Sequence, residues 1–409
     1  MKYFVILGDG MADEPIAALK GKTPLEVAHT PNFDWIASHG ELGLVKTVPE
    51  GMTPASDAAN LSVMGYHPGK FYSGRSPLEA VSMGIPLKTT DVSFRCNLVT
   101  LSDEEPYEKK RMVDHSSDEI STGEAKILME AIEKAFGNSS RKFYPGRSYR
   151  HALIWDRGSE QIKTTPPHDI LEQPIGKYFP QGDHAEEILD MTRKSFDLLD
   201  QHPVNQRRRE KGLRPANSIW VWGEGHKPAL TDFREKYGIR GCVISAVDLI
   251  LGIGICAGLK PIEVEGATGN LHTNYEGKAR AALDALIHGS LDFAYIHIEA
   301  PDECGHRNEM ENKIKAIENI DRLVAGTLRE SMESLHLPWS VMVLPDHPTP
   351  LRLRTHTSDP VPFAIYRSTH PGHSADTHRL YSETSAGETG IYLPEGDLLM
   401  DRFIHSHPY

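Results

Sequence analysis

The stretch YIHIEAPDECGHRNE, residues 295–309, decides how this chain is read. With Asp292–Ala294 it opens as an alternating apolar run, DFAYIHIE, that reads as a buried strand. It then breaks at Pro301 and presents Asp302 and His306 four residues apart, with Glu299, Glu303 and Cys304 beside them. Two residues at i and i+4 share one face of any helix that starts there, so the pair alone fits either half of a metal site or an ordinary polar turn. Partners elsewhere in the chain have to decide.

The same grammar recurs outward from this stretch. KYFVIL (2–7) stops at GDGMAD, SIWVW (218–222) at Gly223, and SVMVL (340–344) at PDHPTP, while NKIKAIENIDRLVAGTLRESMESL (312–335) has helical periodicity. Short apolar runs that end at polar, Gly- or Pro-bearing loops and alternate with helices predict an α/β fold with a central, mostly parallel sheet flanked by helices. In such sheets ligands collect beyond the carboxyl ends of the strands. The acidic and histidine residues of GDGMAD, EAPDECGH and PDHPTP fall at those ends.

The middle of the chain reads differently. A charged helical segment (117–136), RKFYPGRSYRHALIWDRG (141–158) and a Pro-rich segment (164–180) predict a smaller inserted α/β domain over 108–178, with the Pro-rich end as a hinge. Residues 1–107 and 179–409 are then the core domain.

Composition narrows the function. The 409 residues include 39% hydrophobic and 25% charged residues, as in a globular protein of two or three domains. A net charge of −13 argues against nucleic acid or an anionic membrane as partner, and the one basic run, NQRRREKGLR (205–214), reads as a solvated loop or helix end. The apolar run in MKYFVILGDG is too short for a signal-peptide core, and VISAVDLILGIGICAGL (243–259) is too short for a membrane span and reads as a buried helix. Four dispersed cysteines, Cys96, Cys242, Cys256 and Cys304, form no C-x-x-C pair, which fits a reducing, cytoplasmic compartment.

Candidate partners for Asp302 and His306 lie at other strand ends. Asp9 follows the first strand, in a G-x-G context that lacks the third glycine of a dinucleotide fingerprint. Asp346 and His347 share a tight turn between Pro345 and Pro348, and His356 follows nine residues later. Ser56, after Pro54 and before a run of helix formers, sits where a helix begins; it reads either as a plain cap or as part of an anion site. Together these residues offer four carboxylate or hydroxyl oxygens and three imidazoles. Such a mixed shell suits Mn²⁺ best, with Mg²⁺ and Zn²⁺ as alternatives.

The segments GDGMAD, TPASDAANLSVMGY, GRSPLEA, FRCNLVT, ISAVDLI, GATGNLHTNYEGKA, HIEAPDECGH, DHPTP and HTSDPVPF resemble those of the archaeal-type, cofactor-independent phosphoglycerate mutases of the alkaline phosphatase superfamily, in order along residues 1 to 405. The resemblance implies an alkaline-phosphatase-like core with a binuclear centre: Asp9, Ser56, Asp346 and His347 for one divalent ion, Asp302, His306 and His356 for the other. It implies that Ser56 carries a phosphoryl group between the 3- and 2-hydroxyls of glycerate, that no bisphosphoglycerate is needed, and that Lys278 contacts the phosphoryl group. The inserted domain is then expected to hold glycerate and exclude water, with His115, Arg147, Arg150 and His151 as candidate contacts and Arg75 as a further one. Arginine's planar fork suits a carboxylate. The alternative on the same site is another phosphotransferase or a phosphatase, such as a homoserine kinase-like enzyme, although no G-x-x-x-x-G-K-[ST] loop is present.

Overall fold

A computed structural model describes residues 1–369 and 379–405. The chain divides into two compact units, Met1–Tyr72 with Ala229–Tyr409, and Ser73–Pro228.

The first unit is built on an eight-stranded sheet covered by helices. Its centre is the strand Lys2–Gly8, flanked in parallel by Phe293–Ile298 and Trp339–Leu344, both buried along their whole length. Strands packed on both faces need near-continuous apolar sequence, which is how FAYIHI and WSVMVL read. Two antiparallel pairings, of Val361–Arg367 with Trp339–Leu344 and with Glu41–Val45, are set in an otherwise parallel sheet, so the sheet is mostly parallel as the strand grammar predicts.

Register places the chemistry. Gly8 pairs with Ile298, and Leu7 with Leu344, so the three central strands end level with one another. Asp9, the helix Ala300–Arg307 and the Asp346–His347 turn therefore leave the sheet at one edge. Backbones crowd there: Gly10 has a φ of +62°, and a Cβ on it would meet Thr349 Oγ1 at 2.5 Å and Asp302 Cα at 2.9 Å. Any side chain at residue 10 would push these loops apart.

A buried lysine ties the loops together. Lys313, fully buried, donates to Asp13 Oδ2 (2.7 Å), to the Thr349 carbonyl (2.9 Å) and to the Ala12 carbonyl (3.2 Å). Next to it Glu383 accepts from Asp13 N and Thr23 Oγ1, and burial pushes its carboxyl up to about 7 from an ordinary 4.5. The folded protein thus holds this proton more tightly than the unfolded chain does. Its contribution to stability is present below pH 4.5 and is lost as pH rises through about 7. Glu383→Gln, whose oxygen keeps the Asp13 N–H bond while its amide nitrogen donates to Thr23 Oγ1 in the reverse sense, is expected to gain up to about 3 kcal/mol on the wild type across that window. Unfolding midpoints measured from pH 4.5 to 7.5 check this, and parallel curves for the two proteins would contradict it.

The second unit is wider than the 108–178 segment expected from sequence. Its long strand Asp91–Leu101 pairs antiparallel with both Arg150–Asp156 and Ser218–His226, so apolar runs on either side of the segment belong to the same sheet. Apolar content marked these runs as strands but carried no information about which sheet they join. The helix Thr122–Phe136 packs on one face of this sheet. The Pro-rich segment lies inside the unit rather than at its border, as two tight turns, Pro167–Ile170 and Ile175–Tyr178, whose isoleucines are buried.

Two further expectations are corrected. The apolar tract 243–259 splits into the end of the strand Gly241–Ile244 and the helix Asp248–Cys256, because Ser245 and Asp248 interrupt it. The basic run forms the helix Pro203–Glu210, and its Arg208 is buried, bonded to Glu124 (2.9 Å) and to the carbonyls of Ser117 and Arg214. Among the described residues no helix is long and apolar enough to cross a membrane.

Candidate active site

The helix Ser56–Val63 begins at Ser56, after an extended Ala55. Ser56 Oγ lies 3.1 Å from His347 Nε2, which in turn lies 3.4 Å from Asp346 Oδ2 and 3.5 Å from Asp9 Oδ1. All three of these partners are buried. Asp346 is held on both oxygens, Oδ1 by the backbone N–H of Gly10 and His347 and Oδ2 by Asn60 Nδ2 at 2.8 Å. Asp9 Oδ2 faces His297 Nε2 at 3.0 Å, while Asp9 Oδ1 is buried without a hydrogen-bond partner. Burial, reinforced by the charges of Asp346, Asp302 and Glu299, pushes the Asp9 carboxyl well above the usual carboxylate range.

A second set adjoins the first. His306 Nε2 lies 3.2 Å from Asp302 Oδ2, and His356 Nε2 lies 3.3 Å from Asp302 Oδ1. The ligand atoms of Asp302, His347 and His356 also fall within 4.8 Å of one another, so His347 borders both sets. Burial opposes ionisation of Asp302, but hydrogen bonds from His306 and His356 outweigh it and hold the carboxyl well below its ordinary value. The same contact raises His306 to about 9.

These donors fit divalent metal ions. His306 Nδ1 faces the Arg354 carbonyl (2.9 Å) and His356 Nδ1 the Pro54 carbonyl (3.3 Å). Carbonyls only accept, so each Nδ1 carries hydrogen, and each Nε2 presents a lone pair once its ring is neutral. Those two Nε2 atoms are 2.9 Å apart and face Asp302. Lone pairs at that distance repel unless a cation, either a proton or a metal ion, lies between them. Three carboxylates, three imidazoles and a hydroxyl match the mixed oxygen and nitrogen preference of Mn²⁺, Zn²⁺ or Mg²⁺.

All seven proposed ligands, Asp9, Ser56, Asp302, His306, Asp346, His347 and His356, are thus brought together. Sequence reasoning missed the groups that orient them: Asn60, His297, and Thr349, whose Oγ1 donates to Asp302 Oδ1 at 2.5 Å. The pattern held a signal for His297. A histidine inside an otherwise apolar, fully buried strand needs a polar partner. Lys278 is fully buried and donates to the His297 carbonyl (2.9 Å); burial, opposed by the charge of Glu299, lowers its ammonium to about 8.

The candidate substrate contacts do not all gather. Arg150 and His151 are successive residues of one strand and so face opposite sides of its sheet. His151 is buried, accepts from the Gly146 N–H at 2.9 Å, and is held near 3 by burial. Arg147 is exposed, and Arg75 pairs with Glu79 at 3.1 Å. On Arg150's side of the sheet sequence reasoning missed Arg95, whose Nε pairs with Glu79 (2.8 Å) and whose guanidinium stacks 4.3 Å from the Trp222 ring. Asn97 bonds both Trp222 Nε1 and the His115 carbonyl, and the His115 and His168 rings are 6.0 Å apart.

The chain is 49% identical over 400 residues to the 2,3-bisphosphoglycerate-independent phosphoglycerate mutase of Methanothrix thermoacetophila, covering 98% of each protein. The chain belongs to the 2,3-bisphosphoglycerate-independent phosphoglycerate mutase family. The model of that family matches residues 37–205, and a probable mutase of the family from Geobacter sulfurreducens is 48% identical over 99% of this chain and 100% of its own length. Among solved structures, the PH0037 protein from Pyrococcus horikoshii superposes with a TM-score of 0.80 at 28% identity, covering 99% of this chain and 96% of its own. The cofactor-independent phosphoglycerate mutase from Thermoplasma acidophilum does so with a TM-score of 0.69 at 25% identity, covering 99% and 100%.

Proposed function

We propose that this chain is a metal-dependent phosphoglycerate mutase that interconverts 3-phosphoglycerate and 2-phosphoglycerate through a phosphoserine at Ser56, without bisphosphoglycerate. The observation that carries the reading is the Ser56 hydroxyl, at a helix start and 3.1 Å from a buried His347 that borders two sets of metal-ligand groups. Near 49% identity along the whole chain to proteins named for that reaction supports the substrate.

Bound divalent ions would supply Lewis acidity that favours the serine alkoxide and offsets charge on the phosphoryl oxygens. Asp9, Asp346 and His347 hold the Ser56 side of the centre, and Asp302, His306 and His356 the other. The first N–H groups of the Ser56–Val63 helix, with the positive end of its dipole, favour an anionic group on Ser56 Oγ. Lys278 adds a desolvated ammonium. Ser56 accepts the phosphoryl group from the 3-hydroxyl and returns it to the 2-hydroxyl of the same glycerate, which must stay bound in between.

Retention of glycerate falls to the basic cluster of the second unit. Arg95 and Arg150, on one sheet face, are the proposed binders of its carboxylate, with His115 and His168 for its hydroxyls; Arg75 steadies Glu79. Arg150→Ala is expected to leave Ser56 phosphorylation intact while raising hydrolysis relative to mutase turnover by about tenfold or more. An unchanged ratio of free phosphate to 2-phosphoglycerate would remove Arg150 from this role.

The function itself is tested by following 3-phosphoglycerate conversion by the Mn²⁺-loaded protein with ATP and bisphosphoglycerate omitted, beside homoserine phosphorylation with ATP supplied. Turnover in the first assay alone is the expected result. Homoserine phosphorylation without mutase turnover would overturn the substrate and leave the metal centre standing.

A further inference from the structure

We infer that the hydrogen-bond chain from Tyr295 through Asn60 is a positioning device that fixes the Ser56 backbone against the Asp346 ligand, and so sets the affinity of the first metal set. The inference rests on the proposed role of Ser56 and its neighbours, and it concerns residues outside that ligand set.

Tyr295 and Asn60 are both fully buried. Tyr295 OH lies 2.7 Å from Asn60 Oδ1, and Asn60 Nδ2 lies 2.8 Å from both the Ser56 carbonyl and Asp346 Oδ2. The amide has one possible orientation. A carbonyl and a carboxylate can only accept, so nitrogen must face them and oxygen must face Tyr295, whose hydroxyl then donates. Both amide hydrogens are therefore committed, one to the backbone of the nucleophile and one to a ligand of the first set. Without the Tyr295 hydroxyl the amide loses the contact that keeps its oxygen turned away from the carboxylate.

The strand that supplies Tyr295 also supplies His297, two residues on and hence on the same sheet face. Ser245 Oγ accepts from Val247 N (3.0 Å) and lies 3.1 Å from His297 Nδ1, while His297 Nε2 faces Asp9 Oδ2 at 3.0 Å, so the ring is pinned between Ser245 and Asp9. Alternate residues of one rigid central strand thus orient the two carboxylates of the first set. The second set is held by other elements: its imidazoles by the Arg354 and Pro54 carbonyls, and Asp302 by Thr349 Oγ1. Loss of the Tyr295 hydroxyl should accordingly weaken one ion and spare the other.

The test uses the full chain stripped of metal and titrated calorimetrically with Mn²⁺ alone. Wild type is expected to take up two ions. Tyr295→Phe is expected to weaken one of them about tenfold or more, with the other unchanged and the metal-free thermal midpoint lowered only modestly, by the loss of one buried hydrogen bond. In turnover assays kcat should fall while KM for 3-phosphoglycerate holds. Asn60→Asp, which sets a third carboxylate against Asp346, should weaken the same ion. Adding Tyr295→Phe to Asn60→Ala should cost nothing more, because Tyr295 acts only through the amide. Two ions bound by Tyr295→Phe as tightly as by wild type, equal weakening of both, or additive effects in the double variant would overturn the inference. Wild type that binds no Mn²⁺ would instead overturn the reading beneath it.

Discussion

Ser56→Ala is expected to abolish mutase turnover, with a loss of at least about a thousandfold. The size follows because the other hydroxyls that touch the proposed metal ligands, among the described residues, are already engaged. Thr349 Oγ1 donates to Asp302 Oδ1 at 2.5 Å and lies 3.2 Å from His347 Nδ1, so it is held by two of the proposed ligands. Thr47 Oγ1 donates to the Asp346 carbonyl. Neither hydroxyl is free to take a phosphoryl group without releasing a ligand. Stability should change little, because Ser56 is half-buried at the first position of its helix and its side chain makes no helix cap. Rapid-quench mass spectrometry of wild type mixed with 3-phosphoglycerate should find phosphate on the peptide carrying Ser56 and on no other. Turnover at wild-type rate by the alanine variant would exclude the phosphoserine route altogether.

Much of this arrangement was legible in sequence because strand ends announce themselves. A buried parallel strand needs an unbroken apolar run, and the first polar residues after it fall at the sheet edge where ligands gather. Asp9, Asp302 and Asp346–His347 follow that rule, since each comes just after a strand of the central trio. What sequence could not supply was pairing between distant segments. The run SIWVW looks the same whether it joins a parallel or an antiparallel sheet, and its pairing with Asp91–Leu101 moved the border of the second unit outward by tens of residues. Strand parity gave a further lesson. Arg150 and His151 are adjacent in sequence and share a basic, polar character, but the two-residue period of a strand sends them to opposite faces and makes Arg95, on a neighbouring strand, the nearer partner. Asn60 was out of reach for another reason: its importance lies in what two other segments present to it, and nothing in the local string SDAANLSV marks it.

Removing Asp302, a proposed ligand of the second set, provides the other large effect. Asp302 is the carboxylate that both His306 and His356 face, and it also accepts from Thr349. In Asp302→Ala two Nε2 lone pairs 2.9 Å apart would face a neutral methyl group, so a cation there would lose its charged ligand while the large apolar core keeps the fold. Elemental analysis after dialysis against Mn²⁺ should find one ion per chain in the variant and two in wild type, with mutase turnover reduced about a hundredfold or more in the variant. Chelation should silence wild type, and Mn²⁺ should restore it.

The pH dependence sharpens the assignment. The proton on His306 is held up to about 9 chiefly by its hydrogen bond to Asp302, and a metal ion must displace that proton to bind. Affinity for the second ion is therefore expected to rise with pH and to level off near 9. Without Asp302 the imidazole returns toward its ordinary value, so whatever weak binding survives should level off at lower pH. Two ions bound at wild-type affinity by Asp302→Ala, with an unchanged pH profile, would contradict both the ligand role of Asp302 and the pairing with His306 from which the binuclear reading began.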